Sequence, residues 1–206
     1  QALFFRAYFY NFLANLYGGV PLILEEATEP RKDYVRATRE ATYDQARQDL
    51  EDAIKMLNDI TKAKDGEVNI QAAQHLLAEV YISLGDYSEA IAAATAVITH
   101  PSMGLMKTRF GSRKDETGDP YWDLFQLNNQ NRSSGNTETI WALQYEYKNS
   151  GSSYSNEMPR WLLPYYEGLN VRDKEDKKNV KAFTLNTMEK GGRGIGTIRP
   201  TNHFLN

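Results

Sequence analysis

The chain has 206 residues, a formal net charge of −3 and a pI of about 5.7. It contains no cysteine, which excludes disulfides and thiolate metal sites, and a mildly acidic chain without a long basic stripe does not fit a nucleic-acid-binding protein. The length is enough for one sizeable core, and no apolar run reaches the roughly 20 residues that cross a bilayer.

The first predicted helix covers residues 2–17, which are apolar on nearly every side. A helix of this composition is usually buried. Gly18 and Gly19 end it, and residues 20–24 continue in extended form because the residue before Pro21 avoids the helical region. Residues 25–37 form a charged surface loop. Because the sequence opens inside a helix and without methionine, we expect that it starts within a longer protein.

The second predicted helix covers residues 38–60. Its apolar positions recur at helical spacing on one face, and its charged positions mostly fall on the other. Glu51 and Lys55 are four residues apart, so we expect them to form a weak ion pair on the solvent-exposed face of the helix.

Residues 69–101 are expected to form two short helices joined by a tight turn. Asn69 can cap the first helix, Gly85 can end it in the left-handed conformation, and Ser88 can cap the second helix before Pro101 stops it. One such hairpin cannot bury its own apolar face, so it must pack on the preceding helices. The expected shared core contains Phe4, Tyr8, Leu16, Leu50, Ile54, Leu76, Val80, Tyr81 and Ile91.

The sequence changes character after Pro101. Residues 102–137 are rich in Gly, Ser, Asn, Asp and Thr, and residues 138–148 alternate apolar and polar side chains as a β-strand does. We therefore predict a mainly α fold with tetratricopeptide-like helical hairpins and an irregular, loop-rich part with a few short strands. The helical scaffold would be 1–101, and residues 102–206 would be an irregular ligand-binding part of the same fold rather than an independent domain.

Catalysis has little support in the sequence. The three histidines, His75, His100 and His203, lie far apart, and no Gly-x-Ser-x-Gly elbow is present. No two carboxylates are marked as a hydrolytic pair. Residues 115–119 offer oxygen ligands for calcium but lack the full alternating loop, so a solvated turn is expected. Residues 192–196 are glycine-rich, which favours a mobile loop over a phosphate cradle. We expect no catalytic residue, no metal and no cofactor.

Binding has better support, because aromatic residues stand beside Asn, Ser and Arg in the irregular part. An aromatic face suits the apolar face of a sugar ring, and amide or guanidinium groups suit its hydroxyls. The predicted ligand-binding residues are Trp161 as the main stacking platform, then Trp122, Tyr165 and Tyr166, with Arg160 as a polar contact. The alternative interpretation is that each of these aromatics anchors a long loop to the helical part.

Four sequence pieces in this order resemble the SusD/RagB family of surface nutrient-binding lipoproteins. The most specific is the helix from residues 6–8 into the Leu-Tyr-Gly-Gly-Val-Pro-Leu stretch of residues 16–22. The other pieces are Tyr43 with Asp49, Leu50 and Ala53; Ala78 and Tyr81 with Gly85, Asp86, Tyr87 and Ala90; and residues 138–141 opening a strand.

This resemblance implies a non-catalytic glycan-binding protein on the outer face of the outer membrane of Bacteroidetes. Such proteins are held by a lipidated N-terminal cysteine and cap a SusC-like TonB-dependent transporter, to which they deliver glycans or peptides. The sequence lacks that cysteine and the family's C-terminal part, which fits a fragment. Two alternatives stay open at this point: a SusD-like receptor for peptides, and a tetratricopeptide-like scaffold that binds a protein partner.

Overall fold

The computed structural model describes residues 1–144, 170–172, 175 and 178–181. Contacts divide the chain into a compact unit of Gln1–Leu143 and a second unit of Gln144–Asn206, so residues 102–143 belong to the same compact unit as the helices. The assignment of residues 1–101 as a scaffold and of residues 102–206 as the ligand-binding part stays a prediction. Within the described residues, no helix has the length and apolar character needed to cross a membrane.

Four helices lie within the first 98 residues of the first unit, and each packs on the next. They are α1 (Ala2–Tyr17), α2 (Arg39–Ile54), α3 (Ile70–Leu84) and α4 (Tyr87–Ile98). A short helix α5 (Pro120–Leu124) and two 3₁₀ turns, Gly111–Arg113 and Arg132–Ser134, follow in the loop-rich part. The predicted mainly α fold is confirmed.

Of the three predicted helix caps, Asn69 and Gly85 are confirmed and Ser88 is not. Thr38 accepts the Ala41 N–H at the start of α2, Asn69 accepts the Ala72 N–H at the start of α3, and Gly85 ends α3 in the left-handed conformation with φ 88°. Ser88 does not cap α4, because that helix begins at Tyr87 and the Ser88 hydroxyl donates instead to Glu89.

Helix α2 is shorter than predicted, since it ends at Ile54 rather than at residue 60. Beyond it the chain turns: Lys62 N–H donates to Asp59 O at 2.8 Å, and the Asp59 carboxylate accepts the Thr61 N–H at 2.9 Å. These local bonds replace the helical ladder. The predicted pair of Glu51 with Lys55 is also wrong, because Lys55 lies 2.8 Å from Asp52 instead.

The core lies between α1, α2 and α3. Six predicted members are buried or partly buried: Phe4, Leu50, Ile54, Leu76, Val80 and Tyr81. Three predicted members, Tyr8, Leu16 and Ile91, are exposed. The buried stripe of α1 runs through Phe4, Ala7, Asn11 and Ala14, so Leu16 lies off that stripe, and Ile91 lies off the buried face of α4, which carries Ala90 and Val97.

A charged pair ties α1 to α2 beside the apolar core. The Arg6 guanidinium donates from Nε and Nη2 to the two Asp49 oxygens, both at 2.6 Å, and Asp49 is buried. The hydrogen bond to Asp49 raises the pKa of Arg6. The same guanidinium donates to Leu24 O at 3.2 Å, which fastens the extended segment after α1.

Two glycines explain how the chain leaves α1. Gly18 has φ 73°, which an L side chain rarely adopts. A Cβ on Gly19 would lie 1.9 Å from Ala37 O. The segment is then held by the Tyr10 hydroxyl, which accepts the Ile23 N–H at 2.7 Å and donates to Ile23 O at 3.1 Å.

The described residues contain few strands. The strand predicted for residues 138–148 is absent over residues 138–144, which are the part of it that the structure describes. Residues 138–144 form no strand, because nearby side chains take their backbone groups: Asn136 accepts the N–H of Glu138 and Thr139, and Asn69 donates to Ile140 O. Residues 145–148 lie outside the described residues. In the second unit, β1 (Asn170–Arg172) pairs antiparallel with β2 (Asn179–Lys181), with Val171 opposite Val180.

Candidate functional site

A groove of about 440 Å³ opens between α1, α3 and residues 138–141. Its buried apolar lining comes from Phe4, Ala72 and Leu76, with Ile140 beside them. The more exposed lining consists of Tyr8, His75, Glu79, Glu138, Thr139 and Trp141. Ligand pockets in proteins commonly have about 300–1,000 Å³ and combine apolar walls with a few polar groups.

Helical spacing explains why these residues meet. Ala72, His75, Leu76 and Glu79 lie at i, i+3, i+4 and i+7 and therefore share one face of α3. Phe4 and Tyr8 are one turn apart on α1, and their rings stack with centroids 6.4 Å apart. Phe4, Tyr8 and Leu76 were predicted as core residues, and no residue of the groove was predicted to bind a ligand. The spacing of His75 and Glu79 among apolar residues was the signal that could have found this face.

The wall formed by residues 138–141 is fastened from behind. Asn69 caps α3 through Oδ1 and donates through Nδ2 to Ile140 O at 2.9 Å. The Trp141 indole N–H donates to Gly66 O at 3.0 Å. The Trp141 ring meets Phe4 edge to face, with centroids 5.6 Å apart. These contacts fix residues 138–141 against α3, the turn at Gly66 and α1.

The polar rim of the groove is acidic. Glu79 lies 3.6 Å from the His75 Nε2, and Glu138 accepts the Met106 N–H at 3.0 Å through one oxygen. A carboxylate has further acceptor capacity on its second oxygen. Among the described residues, neither lysine nor arginine lines the groove.

Trp122, the one predicted ligand-binding residue within the described part of the chain, lies in a different place. It is half-buried in α5, and the Arg109 guanidinium lies 5.5 Å from its ring centroid. A Cβ on Gly118 would come within 2.7 Å of the ring, so the backbone there packs directly on the indole. These contacts favour the interpretation in which Trp122 anchors a loop.

The remaining predicted site residues, Trp161, Arg160, Tyr165 and Tyr166, lie outside the described residues, as do His203 and the glycine-rich loop of residues 192–196. They stay predictions. Tyr121 in α5 and Phe125 directly after it were not among the predicted ligand-binding residues. Both are 71% exposed, and their rings meet edge to face with centroids 5.1 Å apart.

The loop considered for calcium is organised around Arg109 instead. Its guanidinium donates to Asp123 Oδ2 at 2.6 Å, to Arg113 O at 2.6 Å and to Gly118 O at 3.1 Å, and it also contacts Glu116 O. Carbonyl and carboxylate oxygens of the kind that calcium prefers are thus occupied by a side-chain cation. The described residues contain no group of three or more His, Asp or Glu placed to hold a metal.

The histidines are not brought together where the structure describes them. His75 lines the groove, whereas His100 lies at the end of α4 with its Nε2 3.1 Å from Asp59. The His100 Nδ1 accepts the Ser102 N–H at 3.2 Å. This arrangement holds the end of α4 against the turn after α2 and forms no catalytic relay.

Residues 1–82 match the SusD-like family model described as "Starch-binding associating with outer membrane". Among the curated proteins, none matches this sequence.

Several solved structures share the fold. A SusD-like protein from Bacteroides fragilis has 24% identity and a TM-score of 0.57, covering 71% of this chain and 27% of that one. A SusD-like carbohydrate binding protein from the same species has 19% identity and a TM-score of 0.59, with 71% and 26% covered. A crystal structure with xylogluco-oligosaccharide has 22% identity and a TM-score of 0.56, with 72% and 29% covered. The chain thus spans less than a third of the length of these relatives.

Proposed function

We propose that the chain is part of a SusD-like protein that serves as a non-catalytic, cell-surface receptor for glycans. The observation that carries this proposal is the match of residues 1–82 to a family described as starch-binding. The fold is also shared with a protein named as carbohydrate-binding and with one solved with xylogluco-oligosaccharide. The groove offers the mixture of apolar and hydrogen-bonding surface that a sugar needs.

The location and the partner form the second part of the proposal. The family is described as associating with the outer membrane, and we propose that the full-length protein is a lipoprotein at the bacterial cell surface. There it works with a SusC-like TonB-dependent transporter, which takes up the bound nutrient. Co-purification of the two proteins from detergent-solubilised outer membranes supports this assignment, and fractionation of the protein with the soluble contents of the cell contradicts it.

Ligand class and catalysis are tested together. The full-length protein is titrated calorimetrically with starch, xyloglucan and a casein hydrolysate, and the glycans are then sized by chromatography. Saturable binding of a glycan that keeps its length supports the proposal. Binding of the peptide mixture alone favours the peptide receptor. Shortened glycan contradicts the non-catalytic assignment, and Glu79→Gln and Glu138→Gln would then be the first variants to make.

The outer face of α4 favours a second candidate, a tetratricopeptide-like scaffold for a protein partner. Tyr87, Ile91 and Ile98 are all at least 65% exposed there, and exposed apolar patches mark interaction surfaces. Recovery of several soluble partners without a membrane transporter, together with no glycan binding, supports this candidate over the first.

A further inference from the structure

We propose that the groove between α1, α3 and residues 138–141 is a binding site for a neutral oligosaccharide. The inference rests on the proposed glycan function, and it adds to that function a location and a ligand class. It differs from the site predicted around Trp161, to which no groove residue belongs.

The apolar part of the groove suits the C–H face of a sugar ring. Phe4, Leu76 and Trp141 supply apolar and aromatic surface, and an aromatic face attracts C–H groups because it is electron-rich. The Trp141 N–H is already bonded to Gly66 O, so the indole offers only its apolar surface to a ligand. Tyr8 adds a half-exposed ring with a hydroxyl at its tip.

The polar part of the groove determines the ligand class. Carboxylates are pure acceptors, and sugar hydroxyls are donors, so Glu79 and Glu138 can each accept from a neutral sugar. An acidic sugar would bring a further negative charge close to these carboxylates, and like charges repel. No arginine or lysine among the described residues lines the groove to offset that repulsion.

The groove is also preorganised, which reduces the entropy lost on binding. Glu138 is fixed from two sides, because its N–H donates to Asn136 Oδ1 at 2.9 Å and its carboxylate accepts the Met106 N–H at 3.0 Å. Asn69 fixes Ile140 through a 2.9 Å bond. Glu138 and the backbone at Ile140 are therefore held in place within the wall of the groove.

The test compares matched variants of the full-length protein by calorimetry. The probes are maltoheptaose, a xyloglucan heptasaccharide and laminarihexaose, with an oligogalacturonate of similar length as the acidic counterpart. Tyr8→Ala is paired with Tyr17→Ala, which removes an exposed tyrosine of the same helix away from the groove. Glu79→Gln is paired with Glu40→Gln on α2, and Trp161→Ala is measured beside them with melting temperatures for all.

We expect at least one neutral probe to bind, Tyr8→Ala to weaken it about tenfold or more, and Glu79→Gln to weaken it without lowering the melting temperature. Neither control should change affinity. Wild-type binding that survives both groove variants, or that only Trp161→Ala abolishes, overturns this site but leaves the glycan function standing. Equal affinity for the oligogalacturonate overturns the ligand class. Absence of any glycan binding overturns both the site and the proposed function.

Discussion

Within the first unit, the helical part and the loop-rich part are each stabilised internally, but by different interactions. Between α1, α2 and α3 the buried side chains are mostly apolar, as at Phe4, Leu50 and Val80. In residues 102–143 the buried side chains are mostly polar, as at Asp123, Asn129 and Asn136. The first region relies on removing apolar surface from water, whereas the second relies on satisfying buried polar groups.

Each buried polar side chain in the loop-rich part bonds to backbone. Asn129 donates to Asp123 O at 2.8 Å and accepts the Ser112 N–H at 3.0 Å. Asp123 accepts the Phe110 N–H at 3.0 Å as well as the Arg109 guanidinium, whose bond lowers the pKa of Asp123. Asn136 accepts two N–H groups and donates to Asn129 O at 2.9 Å. A loop without regular structure is thereby fixed by side chains.

The largest expected change in the free energy of unfolding distinguishes a buried core leucine from an exposed one. Leu50 is 0% exposed, and Leu16 is 59% exposed although the sequence placed both in the core. Leu50→Ala should lower the free energy of unfolding by about 2–5 kcal/mol, because it leaves a cavity. Leu16→Ala should change it by less than about 0.5 kcal/mol. Urea melts of both variants check this, and equal losses would contradict the assigned face of α1.

The next largest change in the free energy of unfolding is expected for the buried polar side chains of the loop-rich part. Asn129→Ala should cost about 1–3 kcal/mol, because it leaves the Ser112 N–H without its acceptor and removes one of the hydrogen bonds to the Asp123 carbonyl. Hydrogen exchange should become faster at residues 109–130 before it does so in α2 and α3. The exposed neighbour Gln130→Ala is the control. Uniform loss of protection throughout the first unit would show that the loop is not a separate cooperative element.

A smaller effect depends on pH and concerns the turn after α2. Hydrogen bonds from Thr61 lower the pKa of Asp59, with contributions from Gln71 and His100. A lowered folded-state pKa means that Asp59 stabilises the fold above its unfolded pKa of about 3.9 and that this contribution is lost as the pH falls below it. Asp59→Asn should therefore destabilise by up to about 1 kcal/mol at pH 7, with a difference that shrinks in acid. Thermal melts between pH 7 and pH 2 measure this, and a constant difference contradicts it.

The smallest effect concerns the exposed ion pair of Lys55 with Asp52. Both side chains are largely in solvent, where such pairs contribute about 0–1 kcal/mol and salt screens them. Lys55→Ala should leave the urea midpoint almost unchanged at physiological salt. A loss comparable to that of Asn129→Ala would contradict the ranking of surface charge below buried polar contacts.

The same contrast explains which parts of the fold could be predicted. Asn69 and Gly85 act within three residues of a helix end, so local chemistry was sufficient to predict them. Arg109 acts on oxygens as distant as Asp123, which no spacing rule reveals. The alternation in residues 138–141 was misinterpreted as a strand because the backbone partners there are the side chains of Asn69 and Asn136.

The candidate site was harder to predict than the fold, because the groove combines residues distant in sequence. Tyr8, Glu79 and Trp141 come together only after α1 and α3 pack and residues 138–141 are fastened. Trp122 was predicted to bind the ligand because it is an aromatic residue in the irregular, amide-rich part. In the structure it packs against Arg109 and Gly118 instead. The other selected residues lie outside the described part of the chain, so the site around Trp161 stays a prediction.

Chemical-shift mapping tests directly whether the groove between α1, α3 and residues 138–141 binds a neutral glycan. The isotope-labelled 206-residue chain is titrated with whichever neutral oligosaccharide binds in calorimetry. We expect saturable shifts at the backbone amides of His75, Glu79 and residues 138–141 and at the Trp141 indole N–H, with little change in α4. Shifts confined to other regions, or no shifts at saturating ligand, would contradict it.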